Sequence, residues 1–146
     1  YFIPYYRENI CVSTRPYEGI EELLEMLSDA GVKLAIASNK FQSGTEALAE
    51  RLLGRHDFVK ILGQRECCPV KPDPQVIREV MAEIPGIQPE EVVYCGDSDV
   101  DMFTGHNAGV RTIGVTWGFR GREELQACNP WLLVDCPAEI VDAILK

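Results

Sequence analysis

Short apolar runs of strand length recur along this chain, each separated from the next by a stretch with helical spacing. Residues 33–37 (KLAIA), 58–62, 92–95 (VVYC), 111–115 (RTIGV) and 131–134 are the runs. Ile20, Leu23, Leu24 and Leu27 recur on one helical face before Ala30-Gly31 ends the pattern. A helix is predicted over 43–53, with Ser43 and Glu46 as an S-x-x-E capping box. Another opens at Asp73-Pro74, Asp as N-cap and Pro at the first helical position, and runs to about residue 84. Helices are also predicted over 99–108, stopped by Asn107-Ala108-Gly109, over 123–127 and over 138–146. Strands alternating with helices build βαβ units, because a parallel neighbour is reached only by a crossover. The expected fold is therefore α/β, three-layered and Rossmann-like, around a mostly parallel sheet. Ligands in such folds bind beyond the carboxyl ends of the strands, so the residues that follow strands carry the most information.

Length and charge narrow the reading. With 146 residues the chain can bury one sizeable core. Residues 1–15 are aromatic-rich and break from the rest at Arg15-Pro16, so they read as a helix tail and linker ahead of a domain over 16–146. A net charge of −9 opposes nucleic acid and anionic membranes as partners. It also means that an anionic ligand needs local help. The 6 cysteines form no C-x-x-C pair and only 2 histidines accompany them, which argues against zinc and disulfide frameworks. Reduced thiols in a cytoplasmic protein are the simpler expectation.

Three polar positions follow apolar runs. Ser38-Asn39 comes after KLAIA, Lys71 stands before Pro72-Asp73-Pro74, and Asp97 and Asp101 lie within G-D-S-D-V-D after VVYC. A hydroxyl, an ammonium and paired carboxylates suit a phosphate together with a hard cation. Each has a plain structural use as well. Ser38-Asn39 fits a turn, Lys71 a surface lysine, and Ser98 with Asp101 a helix cap. Their joint occurrence near one sheet edge favours function. Trp117 and Trp131 are expected to be packing residues rather than substrate contacts, Cys95 to pack inside its strand, and His56 and His106 to be isolated surface or helix residues. Arg120 and Arg122, in a loop after a strand, are weaker candidates for substrate contact.

The motifs S-N at 38–39, K-P-D-P at 71–74 and G-D-S-x-x-D at 96–101 resemble the second, third and fourth motifs of the haloacid dehalogenase superfamily. P-Y-E-G at 16–19, A-S-N-K at 37–40 and G-V-T-W-G-F at 114–119 are similar, more narrowly, to phosphoglycolate phosphatases and their close relatives. The resemblance implies a Mg²⁺-dependent phosphomonoester hydrolase acting on a small phosphorylated metabolite. It implies that Ser38 and the Asn39 backbone N–H hold the phosphoryl group, and that Lys71 neutralises it and the nucleophile. Asp97 then binds Mg²⁺, and Asp101 orients Lys71 or a metal-bound water.

One family feature is missing. D-x-D-x-T, which supplies the nucleophile and the acid–base on a central strand, occurs nowhere in the chain. The resemblance also places a helical cap domain before Pro16, of which residues 1–15 would be a C-terminal remnant. The absent strand belongs between KLAIA and VVYC, where its loss exposes unpaired backbone edges. The natural polypeptide is accordingly expected to be longer, and this chain alone inactive. A non-catalytic phosphate-binding or interaction module, a sugar phosphomutase and a dehalogenase are the alternatives. A receiver domain is set aside because its acidic pair comes first and its lysine last.

Overall fold

A computed structural model of the chain describes residues 19–54, 56–118 and 121–145. The expected cap remnant and linker over 1–15 lie outside the described residues, as do Cys11 and Arg120. Among these residues five strands and six α-helices follow in order, with a 3-10 turn at Pro89–Glu91: α1 (Ile20–Asp29), β1 (Leu34–Phe41), α2 (Gln42–Leu53), β2 (Phe58–Gln64), α3 (Gln75–Ala82), β3 (Val93–Gly96), α4 (Asp99–Ala108), β4 (Arg111–Val115), α5 (Arg122–Gln126), β5 (Leu132–Val134) and α6 (Pro137–Leu145).

Every strand pairing is parallel, β1 with β2, β3 with β4, and β4 with β5. Among the described residues no hydrogen-bonded ladder joins β1 to β3, so the strands fall into a pair and a triplet. That break lies where the sequence places the missing central strand. The two half-sheets still share one set of layers. Leu34 and Ile36 of β1 pack in the same cluster as Val93 and Cys95 of β3 and Ile113 and Val115 of β4, under α1, α2 and α6. Ala35, Ala37 and Tyr94 face the other way, onto Val76, Ile77 and Val80 of α3. Strands buried on both faces read as near-continuous apolar runs, which is why KLAIA and VVYC carry so little polar alternation. Each of the large side chains here, such as Leu27, Ile77 and Ile113, is essentially inaccessible, and such burial stabilises by about 1.5–3 kcal/mol apiece.

Several boundaries differ from expectation for local reasons. β1 runs on through Ser38 and Asn39 to Phe41, so these residues sit at the end of the strand rather than after it. α2 begins at Gln42 with Phe41 as N-cap and no side-chain cap, so the Ser43–Glu46 box does not form. Thr45 instead turns its hydroxyl back to the carbonyls of Lys40 and Phe41. α3 starts at Gln75, one position late, yet Asp73 Oδ1 still accepts the Gln75 N–H at 2.9 Å. α4 matches its expected span, with Ser98 as N-cap and Gly109 at φ +75° closing the helix.

Candidate active site

Ser38-Asn39 at the carboxyl end of β1, Lys71 in the loop after β2, and Asp97 and Asp101 after β3 are brought to one rim by the bonds Asn39 makes to Lys71 and Lys71 makes to Asp101. Ser38 is buried, and its Oγ accepts the Lys40 N–H at 3.1 Å. An oxygen that accepts in this way can still donate its own proton elsewhere. The neighbouring Asn39 side chain clamps the Lys71 peptide from both sides. Its Oδ1 accepts the Lys71 N–H at 3.0 Å, and its Nδ2 donates to the Lys71 carbonyl at 3.3 Å. This clamp joins residues 32 apart in sequence, and nothing in the local pattern announces it.

Lys71 then reaches inward. Its Nζ lies 2.6 Å from Asp101 Oδ1, and the two side chains are 8% and 5% exposed. Taking two charges out of water costs several kcal/mol per ion unless they are paired and hydrogen-bonded. Here they are both. Asp101 Oδ2 accepts the Ser98 hydroxyl at 3.1 Å and the Asp97 N–H at 3.2 Å. Tyr94, wholly buried beneath, turns its hydroxyl towards Asp101 Oδ1 at 3.4 Å. Burial, then the Asp101 charge, holds the Tyr94 hydroxyl well above its ordinary range, so it stays a neutral donor.

Asn39, Lys71, Asp101 and Asp97 thus form one connected line of hydrogen bonds, with Ser38 adjacent in β1. Close packing enforces it. A Cβ on Gly96 would sit 2.2 Å from Asp101 Cβ, and one on Gly118 would sit 2.3 Å from Asp97 Cβ. Glycine lets the β3 end and the loop after β4 press directly onto the two carboxylates. Phe41 and Val70 stand exposed at the rim, beside Asn39 and Lys71.

The donor set can be tested against a hard cation. Among the described residues no group of three or more His, Cys, Asp and Glu side chains is placed to hold a metal. Mg²⁺ does not demand one, since it is commonly held by one or two carboxylates, waters and substrate phosphate. Asp97, buried at this rim, fits that role. Asp101 is already committed to Lys71, Ser98 and the Asp97 backbone, so it suits orienting Lys71 better than direct ligation.

Other candidates resolve differently. Arg122 bonds Asp135 at 2.6 Å, and no bond joins it to Asn39, Lys71, Asp97 or Asp101 among those described. Trp117 packs against the larger core cluster, with its indole nitrogen buried and unpartnered. Trp131 packs at the surface. It is 42% exposed, with the Arg111 guanidinium stacked 4.9 Å from its ring centroid. His56 is not isolated either, because its Nε2 lies 2.7 Å from Glu21 and ties the α2–β2 connection to α1. Cys95 does pack inside β3, where burial pushes its thiol up to about 12. Tyr94 was missed as part of the site because an aromatic in a buried run signals core.

Known proteins resemble this chain in sequence and in fold. The family model of the haloacid dehalogenase-like hydrolases matches residues 1–115. A phosphoglycolate phosphatase of Haemophilus influenzae is 31% identical over 90% of this chain and 58% of its own length. An N-acetylmuramic acid 6-phosphate phosphatase of Pseudomonas aeruginosa is 32% identical over 98% of this chain and 63% of its own. A solved structure from Lactobacillus delbrueckii subsp. bulgaricus superposes with a TM-score of 0.80 at 35% identity, over 88% of this chain and 53% of that one. The chain therefore spans about three fifths of the curated relatives it matches. No helix among the described residues is long and apolar enough to cross a membrane.

Proposed function

Because the chain belongs to the haloacid dehalogenase-like hydrolases, we propose that it provides the phosphate- and magnesium-binding part of a phosphomonoester hydrolase. The substrate class is a small phosphorylated acid such as 2-phosphoglycolate, the ester named for several of the relatives. The observation that carries this reading is the buried Lys71–Asp101 pair, linked to Asn39 on one side and Asp97 on the other. A stability role alone does not account for it, since buried ion pairs stabilise no better than well-packed apolar residues of similar volume.

Phosphoryl transfer asks mainly for positioning and charge neutralisation. Ser38 donates its hydroxyl to a phosphoryl oxygen, helped by the Asn39 backbone N–H. The Lys71 ammonium has three donors, and Asp101 takes one, leaving two for the phosphate and the nucleophile. Asn39 and Asp101 hold Lys71 at both its backbone and its tip, so little reorganisation is needed when charge develops. Asp97, with Asp101 behind it, would hold Mg²⁺, which when bound supplies Lewis-acid stabilisation of the phosphoryl oxygens. These 146 residues contain no D-x-D-x-T motif, and in this reading a strand that carries the nucleophilic aspartate would enter between β1 and β3, which no ladder joins among the described residues.

The test is a panel of small phosphate esters offered to a polypeptide in which a D-x-D-x-T strand and cap precede this chain. Hydrolysis that needs Mg²⁺ and is lost in Asp97→Asn is expected. Turnover unchanged by that substitution would remove the assignment. A second reading, a phosphate-binding module without catalysis, rests on the missing D-x-D-x-T motif, and it predicts phosphate binding with no turnover even in the extended polypeptide.

A further inference from the structure

Cys67 and Cys68 are adjacent in the loop that connects β2 to Lys71. Cys67 is exposed and Cys68 half-buried, whereas Cys95 is sealed inside β3. Cys67 also holds φ at +61°, in the left-handed region that a residue with a Cβ seldom adopts. The Cys68 N–H closes a turn onto the Arg65 carbonyl at 3.3 Å. Pro69 and the exposed Val70 follow, and then Lys71, whose N–H is held by Asn39. Two accessible thiols are therefore built into one tight turn, a few residues before the ammonium that pairs with Asp101.

We propose that Cys67 and Cys68 form a reversible oxidation site, closing to a disulfide between adjacent residues and thereby loosening the seat of Lys71. Consecutive Cα atoms lie about 3.8 Å apart across a trans peptide, shorter than the roughly 4.4–6.8 Å that an unstrained disulfide spans. The bridge is strained for that reason, and strained, exposed disulfides are the labile ones suited to regulation. The oxidant is a small-molecule disulfide such as oxidised glutathione. One thiolate attacks its sulfur, forming a mixed disulfide and expelling one glutathione thiolate. The second cysteine attacks the mixed disulfide, forming the Cys67–Cys68 bond and expelling the other. Two electrons pass to the oxidant, and the two thiol protons end on the two glutathiones. Closing this small ring rotates the turn at 65–68, and the stiff Pro69 passes the displacement on to the Lys71 peptide and its bonds to Asn39.

The consequence for turnover rests on the phosphatase reading, but the thiol chemistry does not, so the test is made on the chain itself without any activity assay. Native protein is treated with oxidised glutathione, followed by intact mass, peptide mapping and amide hydrogen exchange. The expected result is loss of two hydrogens from the peptide that carries Cys67 and Cys68, with no glutathione retained on it, and a Cys67–Cys68 link that dithiothreitol reverses. Exchange at the Lys71 amide becomes faster by roughly fivefold, the factor for losing one ordinary hydrogen bond. Cys67→Ser abolishes both effects, and Cys128→Ser changes neither. A stable glutathione adduct on Cys67 or Cys68, a bridge from either to another cysteine, or no oxidation of the two would overturn the proposal. A Cys67–Cys68 bridge that leaves Lys71 exchange unchanged would overturn its coupling to the site.

Discussion

Two lysine–carboxylate pairs in this molecule have nearly the same geometry and opposite surroundings. Lys60 meets Glu83 at 2.9 Å with side chains 38% and 47% exposed, whereas Lys71 meets Asp101 at 2.6 Å with side chains 8% and 5% exposed. The first pair lies in water, where Coulomb attraction is weak and side-chain ordering nearly cancels it. The second is desolvated and further anchored by Asn39, Ser98 and the Asp97 backbone. Distance alone thus says little about what an ion pair does. Burial and the surrounding bonds mark the carboxyl rim as the place where this fold spends stability on a fixed charge.

Substitutions sharpen that contrast. Lys71→Ala leaves the Asp101 carboxylate buried without its cation and should destabilise the chain by about 3–5 kcal/mol, read as a lower urea midpoint at unchanged slope. A loss no larger than that from a surface substitution would mean that Asp101 finds water or another partner. Asn39→Ala removes the two-sided clamp but leaves the ion pair, so about 1 kcal/mol is expected, with faster amide exchange at Lys71. Smallest of all, Lys60→Ala should stay within about 0.5 kcal/mol and its effect should shrink further in salt. If Lys60→Ala and Lys71→Ala proved alike, burial would not be what separates the pairs.

How much of this the sequence disclosed depends on the range of the signal. The parallel α/β plan was legible because buried strands and amphipathic helices are written in consecutive residues. The S-x-x-D cap of α4 was legible for the same reason, Ser98 and Asp101 being three positions apart. Ser38 and Asn39 were read as following their strand, because the apolar run ends at Ala37 while the β1 ladder continues to Phe41. The Asn39 clamp, the His56–Glu21 bond and the Arg111–Trp131 stack join residues distant in sequence. Only the tertiary fold creates them, so composition and periodicity carry no trace of them. Ser43 misled because its capping box was locally sound, but the helix begins one residue earlier, under the hold of Gln42 on the Ile61 carbonyl and the Gly63 N–H.

The most direct measurement compares Lys71→Arg with Lys60→Arg for hydrolysis of a phosphate ester, in the polypeptide extended by the D-x-D-x-T strand and cap. Both changes keep the charge, but only the first alters the donors at the buried rim. The rate should fall roughly 10²–10³-fold for Lys71→Arg, the scale of losing one preorganised donor, and stay the same for Lys60→Arg. Equal rates in the two variants would contradict the assignment of Lys71 to the phosphoryl group.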